Sequence, residues 1–175
     1  MSAKKALQRA RDKAAGAVCI AVPMLSRIAN FDDFDPLKLE PGVALEMIPP
    51  GRVIPADVDL VILPGTKATL ADLAFLRAQG WDVDILSHVR RGGRVLGVCG
   101  GYQMLGRKLA DPGGVEGPAG EAAGLGLLDV ETVLAGDKIL TPTAGVERET
   151  GRRTAGYEMH IGRTTGPDAA ARPML

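Results

Sequence analysis

The chain has 175 residues, 46% of them apolar, and its 21 basic and 21 acidic side chains leave no net charge. One compact domain with a sizeable core is the expectation. The charge balance and a 3% aromatic content argue against nucleic acid or an acidic membrane surface as a main partner.

Ser2 to Ala15 is rich in Lys, Arg and Ala and reads as a solvated linker helix. A β/α alternation follows. Ala17 to Val22 reads as a strand, with Cys19 as a small buried hydrophobe. An irregular polar segment then runs through Asn30-Phe31-Asp32-Asp33-Phe34-Asp35-Pro36, whose acidic cluster reads as a solvated turn. Val43 to Ile48 is a second strand. Asp59 to Leu63 is a third, nearly all apolar, as in a parallel strand buried on both faces.

After Pro64-Gly65-Thr66-Lys67, Thr69 reads as a helix cap with Asp72 at the N3 position of a loose capping box. Leu70, Leu73, Ala74 and Leu76 give that helix an apolar face, and Gly80 stops it. Asp82 to Arg91 is a second helix, with His88 on its surface. Arg94 to Val98 is a strand and Gly101 to Leu109 a helix. Strands alternating with helices imply a doubly wound, mostly parallel α/β layer. Beyond Asp111 the texture changes. Leu125–Val133, Lys138–Thr141 and Thr154–Thr164 read as strands of an antiparallel extension, and Gly166 to Leu175 as a tail with no fold-closing element.

Gly97-Val98-Cys99-Gly100-Gly101 has the layout of a nucleophile elbow, in which a strand ends on a reactive side chain and a helix begins just past it. The glycines would serve positive φ or close backbone approach, and the helix amides would favour the thiolate. The alternative is a buried cysteine in a Gly-rich turn. A cysteine nucleophile needs an oxyanion hole and a base. The amide of Gly100 is one candidate donor. Gly65 is a second, or else an ordinary turn residue, since ligands of such sheets lie outside the carboxyl ends of the strands. Glu158 and His160 share a face of a strand, as a base with its orienting carboxylate or as a structural pair. There is no phosphate loop, no C-x-x-C and no H-E-x-x-H, so no nucleotide or metal site is expected within the chain. Two cysteines make no disulfide framework, no secretory h-region is visible and no apolar run approaches a membrane span. A cytoplasmic protein is the expectation.

Five motifs in order carry a resemblance. They are Arg27-Ile28-Ala29-Asn30-Phe31-Asp32-Asp33-Phe34-Asp35-Pro36-Leu37, then Leu63 through Leu73, then Gly97 through Gly106, then Gly124-Leu125-Gly126-Leu127-Leu128, and last Gly156-Tyr157-Glu158-Met159-His160. The chain resembles the C-terminal glutamine amidotransferase domain of the cobyric acid synthase family, in the CobB/CobQ-type class. The resemblance implies a flavodoxin-like fold of the class I amidotransferase kind. It implies that Cys99 attacks the side-chain amide of L-glutamine, that Gly65 and Gly100 hold the oxyanion, and that Gln103 belongs to the substrate-binding set. It also implies a separate synthetase domain that uses ATP and magnesium to amidate adenosylcobyrinic acid a,c-diamide, with no cofactor in this chain.

The family's catalytic histidine belongs to a G-T-Y-x-H-G-like segment beyond the last motif. None of the 175 residues match it, so the base role is not placed on His160. The expected organisation is a linker helix over 1–16, an amidotransferase domain over 17–165 that is incomplete at its C-terminus, and a tail over 166–175. Two other readings stay open: an amidotransferase-like interaction module without a base, and a PfpI-like cysteine hydrolase that uses His160.

Overall fold

The computed structural model describes residues 3–136 and 139–171. The expectations for Met1, Ser2, Lys138 and the tail residues 172–175 lie outside them. The chain divides into two compact units, Met1–Tyr102 and Gln103–Leu175. Each has its own sheet and its own buried residues.

In the first unit, α1 (Ala3–Ala14) leads into β1 (Val18–Pro23), a 3-10 turn (Asp32–Phe34) and α2 (Asp35–Leu39). Then come β2 (Val43–Ile48), β3 (Leu60–Leu63), α3 (Thr69–Ala78), α4 (Trp81–Arg90) and β4 (Arg94–Gly97). The strands pair in the order β2-β1-β3-β4, all parallel. This is the α/β layer expected, and the order is that of the flavodoxin-like arrangement as far as four strands define it. Central β1 and β3 are buried, while edge strands β2 and β4 are mostly half-buried. Ile20, Val22, Phe34 and Ile62 form a core, so the segment read as irregular and polar sends Phe34 inward while Asp32, Asp33 and Asp35 stay exposed.

Helix α1 is docked rather than solvated. Arg9 is buried and bonds to Glu46 of β2 at 2.6 Å and to Asp57 at 3.2 Å. Lys5 pairs with Glu46 and Lys13 with Asp59, each at 2.8 Å. Helix α3 buries Thr69, Asp72, Leu73 and Leu76, and Ala74 faces outward. Its N-cap is Ala68 and it has no side-chain cap bond, so the capping box does not form. Trp81 is fully buried, donates from its indole to the Arg52 carbonyl at 2.7 Å, and meets Phe75 edge-on. His88 is buried as well, against expectation. Its Nε2 lies 3.0 Å from the Arg94 carbonyl oxygen, and its ring fills the space that a side chain at Gly93 would need.

Helix α5 (Gly100–Met104) is far shorter than expected and runs through the division between the units. The second unit continues with β5 (Lys108–Asp111), β6 (Gly120–Ala123), β7 (Glu131–Val133), β8 (Ile139–Val146), β9 (Arg153–His160), β10 (Arg163–Thr165) and α6 (Pro167–Ala171). The helix stops because a Cβ at Gly106 would come within 2.7 Å of the Val130 carbonyl oxygen, while Gly124 crosses so close that its Cβ would lie 2.0 Å from the Gly106 oxygen. The Gly124–Leu128 motif is a loop, not a strand. Its amides cap the orphan carbonyls at the helix end: Leu125 to Met104 at 2.8 Å, and Leu127 and Leu128 to Leu105 at 2.8 and 3.0 Å.

The second unit's larger sheet is mixed, in the order β10-β7-β5-β6, with β5 and β7 parallel and the other pairs antiparallel. The strand expected over Thr154–Thr164 is broken at Gly162 (φ 88), which separates β9 from β10. The tail forms α6, anchored by the Asp168 carboxylate on the Asp129 amide at 2.8 Å. Among the described residues strands β8 and β9 pair only with each other. By their register one face carries Leu140, Pro142, Ala144 and Val146 beside Met159, Tyr157 and Ala155. All seven side chains are exposed, Leu140 by 65% and Tyr157 by 68%.

Candidate active site

Among the described residues Cys99 is the only non-glycine with positive φ, at 50°. A left-handed cysteine between a strand and a helix is a strained conformation of the kind that clusters at functional sites. It also turns the side chain outward, and Cys99 is exposed while Cys19 is buried. Burial pushes the Cys19 thiol up, and the Asp59 carboxylate adds to the effect. The two cysteines therefore differ, Cys19 packed inside and Cys99 facing solvent.

The surrounding glycines serve close approach, and none of Gly97, Gly100 and Gly101 carries the positive φ. A Cβ on Gly97 would lie 2.5 Å from the backbone of Tyr102, and one on Gly101 would lie 2.2 Å from the Leu63 carbonyl oxygen. Without side chains there, α5 can press its first turn against the end of β3. A Cβ on Gly100 would come within 2.6 Å of the Thr66 methyl.

The parallel register brings Leu63 level with Gly97, so Gly65 lies beside the elbow. A Cβ built on Gly65 would be 3.5 Å from the Cys99 Cβ. Gly65 and Gly100 are both buried, and neither amide makes a main-chain hydrogen bond among the described residues. Gly65 and Gly100 thus both adjoin Cys99. Helix α5 has only five residues, so any help to the thiolate comes from the amides of its first turn rather than from a long dipole.

The loop after β1 joins the loop after β3 at the point where strand order reverses, the usual ligand crevice of such sheets. Ile28 and Thr66 form an isolated antiparallel bridge, the Ala29 amide donates to the Gly65 carbonyl at 2.8 Å, and the Lys67 amide to the Arg27 carbonyl at 3.1 Å. Beneath the bridge lies Asp72, wholly buried. Its carboxylate accepts from the Ser26 amide at 3.0 Å, the Arg27 amide at 3.1 Å and the hydroxyls of Ser26 and Thr66. Sequence reasoning missed this cluster. The signal was an acidic residue on the i, i+3, i+4, i+7 stripe of α3, where a core side chain belongs.

Gln103 does not project freely. It is buried, and its carboxamide donates to the Ile161 carbonyl at 3.3 Å. His88 meets the Arg94 carbonyl at the amino end of β4, whereas Cys99 follows the carboxyl end. His160 closes β9, paired with Ile139. Among the described residues no three His, Cys, Asp or Glu side chains gather as a metal site, and no helix is long and apolar enough to cross a membrane.

The sequence pattern of the CobB/CobQ-like glutamine amidotransferase domain matches residues 19–174. The chain belongs to that family. The CobB/CobQ-like glutamine amidotransferases are enzymes, and relatives named cobyric acid synthase are similar to this chain. The one from Caulobacter sp. (strain K31) is 71% identical over 156 residues, covering 89% of this chain and 32% of its own length. The one from Methylocella silvestris is 62% identical over 169 residues, with 97% and 35% covered. The one from Cereibacter sphaeroides is 61% identical over 170 residues, again with 97% and 35% covered. The chain therefore spans about a third of the length of the curated relatives it matches. The structure of PurLQS from Thermotoga maritima shares the fold, with a TM-score of 0.62 at 17% identity over 87% of this chain and 71% of that one.

Proposed function

We propose that the chain is the glutaminase part of a cobyric acid synthase. The observation that carries this is Cys99, exposed and left-handed at φ 50°, with the unbonded amides of Gly65 and Gly100 beside it. The Cys99 Sγ attacks the side-chain carbonyl carbon of glutamine. The carbonyl electrons move onto oxygen, and the amides of Gly65 and Gly100 take up that charge. Collapse breaks the C–N bond, releases ammonia and leaves a glutamyl thioester. Water then hydrolyses the thioester to glutamate and restores the thiol.

The proton acceptor is the histidine of the G-T-Y-x-H-G-like segment that the family resemblance implies. His88 is tied to the Arg94 carbonyl and does not serve, and His160 is not assigned the role. Gln103, which the family resemblance assigns to the substrate-binding set, also donates to the Ile161 carbonyl. Ammonia passes to an ATP- and magnesium-dependent synthetase part, within the two thirds of the relatives' length that this chain does not span. There it amidates adenosylcobyrinic acid a,c-diamide in cobalamin biosynthesis. A reducing cytoplasm suits the two free thiols.

The test is affinity labelling of the full-length protein with 6-diazo-5-oxo-norleucine, alongside glutamate release from glutamine. One label on the peptide containing Cys99, lost in Cys99→Ser together with glutamate release, is the expected result. A folded wild-type protein that neither takes the label nor releases glutamate would overturn the reading.

A further inference from the structure

We infer that Asp72 is the positioning residue of the oxyanion pocket, holding Thr66 and the β1 loop in the one arrangement that keeps the Gly65 and Gly100 amides beside Cys99. The inference rests on the glutaminase reading above.

The geometry is a chain of direct contacts. The Asp72 carboxylate is wholly buried, in a helix position that apolar residues otherwise fill. Its two oxygens divide the work. Oδ1 accepts from the amide and hydroxyl of Ser26, and Oδ2 from the Arg27 amide and the Thr66 hydroxyl. The Thr66 hydroxyl oxygen in turn accepts from the Ala68 amide at 3.1 Å, which fixes its rotamer. With Oγ1 so held, the Thr66 methyl abuts Gly100, at 2.6 Å from the place of a Cβ there. Thr66 also follows Gly65, whose carbonyl accepts from the Ala29 amide at 2.8 Å, so the Gly65–Thr66 peptide is pinned from both loops and the backbone at Gly65 with it. One carboxylate thus sets both donors while lying in the layer beneath them.

A capping role would use Asp72 locally, within α3, and the helix has no such bond. All four of its donors come from the two loops at the crevice. Only a carboxylate fits this set, because an Asn amide nitrogen would meet either Ser26 or the Arg27–Thr66 pair donor to donor.

The experiment uses the full-length protein with Asp72→Asn, Thr66→Val, and the two combined, each checked for fold by circular dichroism. Two reactions of Cys99 are compared: glutamine hydrolysis, which develops an oxyanion, and alkylation by iodoacetamide, which does not. The expected result for Asp72→Asn is a fall in kcat on the order of a hundredfold, the scale of a misplaced reacting group, with KM little changed. Iodoacetamide alkylation keeps its rate and its pH profile. Thr66→Val reproduces much of the loss, and the double variant loses less than the product of the two, because both act through one contact.

A folded Asp72→Asn with wild-type kcat would overturn the inference. So would a parallel fall in hydrolysis and alkylation, which marks a general collapse of the elbow. If Asp72→Asn does not fold, Thr66→Val decides alone: wild-type kcat overturns the inference, and a selective kcat loss supports it. A wild-type protein silent toward glutamine defeats the glutaminase reading itself, and this inference with it. An active wild type with an indifferent Asp72 defeats only the inference.

Discussion

Gly65 and Gly101 both lie within a few ångströms of the elbow, yet the space around them differs. A methyl at Gly65 would meet the Cys99 Cβ at 3.5 Å, an ordinary contact, while a methyl at Gly101 would sit 2.2 Å from the Leu63 carbonyl oxygen. Gly65→Ala should therefore leave thermal stability close to wild type while lowering glutamine turnover, because the methyl occupies the approach to the thiol. Gly101→Ala should cost stability, by roughly 1–3 kcal/mol as an overpacked contact. Urea unfolding and glutamate release, measured on both, separate the effects. Loss of stability in Gly65→Ala, or none in Gly101→Ala, would contradict this geometry. At this scale Cys99 was legible, because G-x-C-G-G has a recognisable spacing. Of the two uses open to the glycines, close approach is the one they serve, and the positive φ falls on Cys99, since a preference of glycine for positive φ does not say which position of a turn adopts it. Asp72 showed only as an acidic residue on a buried stripe; two of its partners, Ser26 and Arg27, are more than forty residues away in sequence and could not be read from it.

Strands were the more legible elements. An apolar run such as Val61-Ile62-Leu63 is buried for the reason its composition suggests. Helix ends were less so: α5 stops after Met104 because Gly124 and Val130 crowd Gly106, a tertiary cause absent from local sequence. Helix α1 was misread for a similar reason, as its basic residues look solvated until Glu46, Asp57 and Asp59 are placed beside them. That docking should depend on pH. For Glu46 burial works against ionisation, but hydrogen bonds and charge from Lys5 and Arg9 overcome it and hold the carboxyl below its ordinary 4.5. The Lys13 ammonium, followed by the Cys19 amide, likewise holds Asp59 below its ordinary 3.8. A carboxyl depressed in the folded state adds stability that is complete above its ordinary value and is lost as pH falls through the folded one. Urea midpoints should therefore hold steady down to about pH 5 and then drop. In Arg9→Met the acid drop should be smaller and the neutral stability lower by roughly 2 kcal/mol, the scale of a charged hydrogen bond. An acid limb identical to wild type would show that these pairs contribute nothing.

On the scale of the whole molecule, the α/β class was readable from the alternation of strands and helices. The two-unit division was not, because length and apolar content bound the size of a core without saying how many cores there are. The mixed sheet was hidden as well: its strands are three or four residues long and too short to show a period. The β8–β9 hairpin has a practical consequence for handling the protein. A two-stranded ribbon with Leu140, Val146, Met159 and Tyr157 on one exposed face, and with no further strand on either edge among the described residues, is a template for sticking to itself. The 175-residue chain in isolation should show a sedimentation coefficient that rises with concentration, and Leu140→Lys with Tyr157→Ser should flatten the rise while leaving Cys99 labelling intact. A wild-type chain that sediments as one species at every concentration would contradict this. A shelf-life set by a hairpin in the other unit, rather than by the reactive thiol, is what a purification buffer would then have to address.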